Sequence, residues 1–173
     1  MRVITLRPPW SWAVIHGGKD IENRRTNIAG DYRGPLAIHT GLRYDRGWDS
    51  PAMDDAMRPI LSSNELRETW PWEQPRGHII GVVDLIDVHA VANPHFNPIC
   101  FDHRRPNGLA EAAAEGRGVC SRWADPGGQW HLVLANPTPL ETPIPYRGHL
   151  GIRRADPLTM VRLMAQIDPE WRP

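Results

Sequence analysis

The predicted elements run strand, short helix, several strands and closing helix. That order makes the chain α+β or a small barrel with helices at its ends. Three observations carry the prediction. Pro8-Pro9 and Gly17-Gly18 bracket one short helix, His78 to His89 is a long apolar run, and Asp156-Pro157 opens a final amphipathic helix. A chain of 173 residues without internal repeat, linker or low-complexity tract is expected to form one domain, 1–173, with a substantial core.

Val3 to Leu6 reads as the opening strand. Proline suits a first helical turn, so Pro8-Pro9 starts a helix with Trp10, Ala13 and Val14 on one face, and Gly17-Gly18 ends it. Two turns of helix are unstable alone and must pack on a sheet. Ile21 to Arg24 reads as extended, with Glu22 and Arg24 on one face and Ile21 and Asn23 on the other. Gly34 to His39 is the next strand. Tyr44 to Glu68 is expected to be helical, broken at Pro59, and the proline-rich stretch from Trp70 to Pro75 to be a loop. His78 to His89, apolar on both sides early and wetter later, has the pattern of a central buried strand. Residues 92–127 are expected to form an irregular insertion with a weak helix near Leu109 to Glu115. Gln129 to Ala135 is another strand, and Leu140 to Ile152 carries one or two more. Leu158 to Ile167 closes the chain as a helix capped by Asp156.

Composition narrows the function. The net charge is zero, so no strong basic field covers the molecule and any nucleic-acid contact is a local patch. Cys100 and Cys120 are too few for a disulfide framework and match no metal motif, and no histidine pair has zinc-ligand spacing. No metal and no cofactor is therefore expected. Neither element of a zinc deaminase is present, nor is a phosphate-binding glycine loop. The chain shows no signal peptide and no long apolar run, which predicts a reduced cytoplasmic setting and no membrane partner.

The densest charged cluster is Gly17-Gly18-Lys19-Asp20-Ile21-Glu22-Asn23-Arg24, and Lys19 is the only lysine in the chain. Lys19 can serve as a reactive amine, as a phosphate contact or as a structural ion-pair partner. Catalysis as a general base needs a pKa lowered by burial or by cations such as Arg24 and Arg25, and Glu22 opposes that. Glu22 can accept from the amino group of a base, and Arg24 can clamp a phosphate or stack on a base. The plainer alternative is that Glu22 and Arg24 pair with each other. Among the eight tryptophans, Trp12 suits the core, Trp10 lies beside the motif, and Trp70 or Trp72 in the proline loop could line a cleft. His39, at a strand end, is a ligand or proton shuttle, or simply a hydrogen-bonded histidine.

Gly17-x-Lys19-x-x-Glu22-x-Arg24 resembles the signature of the ASCH domain, a family of the PUA-like superfamily. Four flanking blocks share the resemblance: Leu6 to Ala13, Arg33 to His39, Gly77 to Val83 and Pro145 to Gly151. The resemblance implies an α+β fold, a small mixed PUA-like β-barrel with flanking helices, whose cleft, beside the motif, takes RNA or a modified nucleoside. It also implies that Arg147 and Gly148 border that cleft. Some small bacterial members are amidohydrolases acting on N4-acetylcytidine. They resemble this chain at Lys19 but carry a threonine nucleophile where this chain has Glu22, and a carboxylate does not form the same activated hydroxyl. Glu111 and Glu115 lie in a segment comparable to the one that holds their catalytic carboxylate.

The expected function is thus RNA or modified-nucleoside binding through Trp10, Lys19, Glu22, Arg24, His39, Arg147 and Gly148. The rival is an enzyme, an amidohydrolase or a ribonuclease, with Lys19 and Glu22 as its catalytic residues. A third reading is a protein-interaction module whose tryptophans form an exposed patch.

Overall fold

The computed structural model describes residues 1–45, 53–55, 75–93, 97–125 and 129–167. Along them lie β1 (Arg2–Leu6), α1 (Trp10–Ile15), β2 (Ile21–Arg24), β3 (Gly34–Thr40), β4 (His78–Ala92) and β5 (Ile99–Phe101). They are followed by α2 (Gly108–Ala114), β6 (Trp130–Pro145), β7 (Ile152–Arg154) and α3 (Pro157–Ile167). Tyr44 and Asp45, where the expected helix begins, are not helical; residues 53–55 form a helical turn, and the remainder up to Glu68, with Trp70 and Trp72, lies outside the described residues.

The α+β class holds, but the described strands do not close into the expected barrel. The strands follow the order β2-β6-β4-β3-β1-β7, with β5 on β4, and the two end strands do not pair with each other. Closure requires the first and last strands to hydrogen-bond along matching lengths. Here they have four and three residues, and β7 exposes Arg153 and Arg154, charges that discourage edge pairing.

The chain divides into two compact units. The first comprises Met1–Lys19, Gly34–Asp84 and Asn136–Pro173; the second comprises Asp20–Arg33 and Leu85–Ala135. In the first unit, β1 runs parallel to β3, with Val3 opposite Ala37 and Thr5 opposite His39, and antiparallel to β7. Its core joins Val3, Ala37, Ile79, Val82, Leu140, Ile144 and Leu163, all buried. Asp156 caps α3 as its sequence predicts: the Thr159 backbone N–H donates to Oδ1 at 2.9 Å and the Thr159 hydroxyl to Oδ2 at 2.6 Å. These bonds to the ionised carboxylate hold its pKa below the ordinary range.

In the second unit, β2 pairs antiparallel with the start of β6, Ile21 opposite Val133 and Arg24 opposite Trp130. The end of β4 pairs with β5, Val91 opposite Cys100. The insertion is therefore less irregular than expected. Ile99-Cys100-Phe101 is too short to show an alternation, and only its partner strand makes it β. A second difference is that β6 runs unbroken from Trp130 to Pro145 instead of ending at Ala135. Pro137 and Pro139 read as breakers, yet both occupy exposed positions, where a missing N–H costs least, and Asn136 takes a φ of 52°.

Candidate functional site

Each part of the motif is held by local structure. In the first unit, Gly17 N and Lys19 N both donate to Ala13 O, at 3.0 and 2.9 Å, which wraps the chain tightly over the end of α1. Gly18 sits at φ +69°, the left-handed region that ends helices, and a Cβ on Gly17 would lie 2.9 Å from the Trp12 ring. This turn sets the direction of Lys19. Its side chain is only 4% exposed, and Nζ lies 5.6 Å from the centroid of the Trp10 ring, a cation–π contact. Trp10 in turn donates from Nε1 to Asp45 Oδ2 at 3.2 Å, fixing the plane of the indole. Trp12 is buried in the core, as its position on α1 predicts.

In the second unit, Glu22 and Arg24 lie on one face of β2 and form an ion pair at 3.1 Å. The predicted alternation places them so, and the plainer of their two sequence readings is realised. Glu22 is buried, Arg24 partly so. On the opposite face, Asn23 donates to Trp123 O at 2.9 Å and accepts from Asp125 N at 3.0 Å, which ties β2 to the segment after α2.

His39, Arg147 and Gly148 all belong to the first unit. His39 is 2% exposed and shares a 3.1 Å hydrogen bond with Thr5 Oγ1 through Nδ1, while the edge of its ring meets Tyr146 at 5.6 Å. Gly148 lies directly against it: a Cβ there would stand 2.6 Å from His39 Cε1. Arg147 is exposed. Burial pushes the His39 pKa down, with the neighbouring His78 and His149 adding to the effect and hydrogen bonds to the Tyr146 and Gly77 backbone opposing it. The folded state therefore resists protonating a ring that the unfolded chain protonates below about pH 6.5. His39 costs no stability above that value, and stability falls as pH drops through it towards the folded pKa. His39→Asn should flatten the acid side of a urea-midpoint profile and leave the profile above about pH 7 with the same slope; an unchanged acid slope would contradict this account.

Glu111 and Glu115 are engaged in surface ion pairs, with Arg105 at 2.7 Å and Arg117 at 2.6 Å. Arg104 is likewise held by Asp102 at 2.8 Å and Asp87 at 3.0 Å.

One cluster in the second unit escapes linear reading. His89 on β4, Cys100 on β5, Cys120 after α2 and His131 on β6 each present one nitrogen or sulfur, and these four atoms all lie within 4.8 Å of one another. His131 Nδ1 stands 3.5 Å from Cys100 Sγ and 3.2 Å from Cys120 Sγ. Cys120 donates towards Cys100 and holds its pKa well below the usual thiol range, with His131 and His89 adding to the shift; the same contact raises Cys120. Three of the residues, His89, Cys100 and Cys120, also line a cavity of about 280 Å³ with Asp87, Asp102 and Arg117. The residues stand eleven, twenty and eleven positions apart, far from the short spacings of zinc motifs, so the only sequence signal was that both cysteines lie in or beside the insertion.

No protein-family model matches this chain. No curated protein matches it. Solved structures do. The chain is similar to a mutant of the ASCH protein from Zymomonas mobilis, with 14% identity over 95% of this chain and 96% of that one and a TM-score of 0.48. It is similar to ASCH from the same organism without that mutation, with 12% identity, 95% and 93% coverage and a TM-score of 0.45. A second mutant of that protein gives 14% identity, 95% and 94% coverage and a TM-score of 0.44.

Proposed function

We propose that this chain is an ASCH-type protein that binds RNA or a modified nucleoside through its Gly17-x-Lys19-x-x-Glu22-x-Arg24 motif. The observation that carries the reading is Lys19. It is the chain's single lysine, it is almost fully buried, and its ammonium stands over the Trp10 face. Lysine is rarely buried, because removing an ammonium from water is costly. A turn that directs it inward over an indole with a fixed plane serves recognition better than solubility. In this role Lys19 meets a phosphate or polarises a carbonyl, and Trp10 lies beside the bound base. In the second unit, Glu22 offers its carboxylate to an amino edge and Arg24 its guanidinium to a phosphate. His39, hydrogen-bonded to Thr5 beneath Gly148, stays a proposed ligand contact together with Arg147 and Gly148.

The test is a titration of short single-stranded RNAs and of N4-acetylcytidine into the wild-type protein and Lys19→Ala, followed by mass spectrometry of the small molecules. The expected result is binding that weakens as salt rises, no product, and an affinity at least about tenfold lower for Lys19→Ala, the equivalent of about 1.4 kcal/mol. Released acetate or cut RNA would move the assignment to an amidohydrolase or a ribonuclease. Absence of both binding and product would remove the nucleic-acid reading altogether.

A further inference from the structure

We propose that His89, Cys100, Cys120 and His131 form a binding site for a divalent zinc-class cation, which ties the insertion to β4 and β6. The site goes beyond the nucleic-acid reading and does not depend on it. The first argument is geometric. A tetrahedral zinc with bonds of about 2.3 Å to sulfur and about 2.0 Å to nitrogen separates its ligand atoms by about 3.3–3.8 Å. The two distances from His131 Nδ1 to the sulfurs, 3.5 and 3.2 Å, already lie near those values. No two of the four atoms stand more than 4.8 Å apart, and Cys120, on an exposed segment, has room to close any difference.

The second argument comes from the nitrogens that do not face the cluster. His89 Nδ1 lies 3.2 Å from Asp87 Oδ2, and His131 Nε2 lies 3.2 Å from Asp125 O. With an oxygen acceptor on one nitrogen, each ring carries its proton there and offers a lone pair from the other, the arrangement that orients histidine ligands in metal sites. Asp87 is itself fixed by Arg104 at 3.0 Å. The inward nitrogen of His89, Nε2, is buried and faces the Cys100 sulfur without a well-formed hydrogen bond. A buried polar atom without a partner is costly, and a cation at the centre of the cluster supplies one.

The third argument is chemical. Two thiolates and two imidazoles in a tetrahedral arrangement suit zinc, and the two thiolate charges neutralise a divalent ion, so the buried site carries no net charge. A Cys100–Cys120 disulfide would satisfy the sulfurs but offer His89 Nε2 no better partner. Four protein ligands fill the tetrahedral shell, so the role is structural. The adjoining cavity gains no open coordination position for a substrate.

The ligands explain the order of the insertion. β5 pairs with β4 over only three residues, Cys100 N donates to Gly118 O at 3.2 Å in the segment carrying Cys120, and Asn23 on β2 holds the end of that segment through Trp123 O and Asp125 N. Metal binding would add a direct link from β4 and β6 to the cysteines of this segment, which these bonds do not make.

The full chain, expressed without a polyhistidine tag in zinc-supplemented medium and purified under reducing conditions, should carry about one zinc per chain by elemental mass spectrometry. Cobalt exchanged into the wild-type protein should give tetrahedral visible bands together with thiolate-to-cobalt charge transfer in the near ultraviolet. This readout identifies the ligand type without any variant. Cys120→Ser, the exposed ligand, should retain the fold by circular dichroism, lose the charge-transfer intensity of one thiolate and bind the metal at least about tenfold more weakly. A chelator should lower the wild-type melting temperature. The proposal is overturned if reduced wild-type protein takes up neither metal, or if bound cobalt shows no thiolate band. It is also overturned if a Cys100→Ser, Cys120→Ser double variant keeps its full zinc content.

Discussion

Gly81→Val should destabilise the protein by about 3 kcal/mol, with Gly81→Ala costing less, about 1 kcal/mol. Gly81 lies near the start of β4, where glycine normally weakens a strand and serves mainly to admit a close neighbour. The neighbour is α1. A Cβ at position 81 would stand 2.5 Å from Ile15 Cδ1 and 2.9 Å from Thr138 O. Ile15 can rotate, but the Thr138 carbonyl belongs to β6 and cannot yield without moving backbone. The added isopropyl group would thus press α1 away from the sheet, and α1 is the element whose end positions Lys19. Urea unfolding followed by tryptophan fluorescence reads the loss as a lower midpoint at an unchanged slope. A midpoint within error of wild type would mean that the helix has slack the packing does not show.

Leu163→Ala should cost about 2–5 kcal/mol, the range for deleting a fully buried leucine. Leu163 is 0% exposed and joins Val3, Ala37, Ile79, Val82, Leu140 and Ile144 in the core of the first unit. It is the anchor of α3, whose other ties are few: Gln166 donates to Thr142 O at 3.0 Å and accepts from Thr142 N at 2.9 Å. The same helix provides the control. Leu158 is 60% exposed, and its replacement by alanine should change stability by no more than about 0.5 kcal/mol. If both variants lost the same amount, helix propensity and not core burial would be the cause, and the assignment of α3 to this core would be in error.

The elements that could be read in advance are those written in local chemistry. The proline start and glycine stop of α1, the alternation that puts Glu22 beside Arg24, and the Asp156 cap of α3 each involve residues within a few positions of one another. The same holds for the Lys19 turn. The misreadings have the opposite origin. Barrel closure depends on whether β2 and β7 find each other across the whole chain, and no local pattern specifies that. β5 is a strand only because β4 offers its edge, and β6 passes through two prolines that locally signal a break.

What the residue order settled, then, was the α+β class and the motif with its turn, because side-chain alternation, caps and turns act over a few bonds. The folded chain settled the open sheet and the burial of Lys19 against Trp10. It also brought together four metal-competent side chains from β4, β5, β6 and the segment after α2. Those outcomes follow from strand pairing and packing between residues far apart in the chain, where spacing along the backbone says nothing of distance in space.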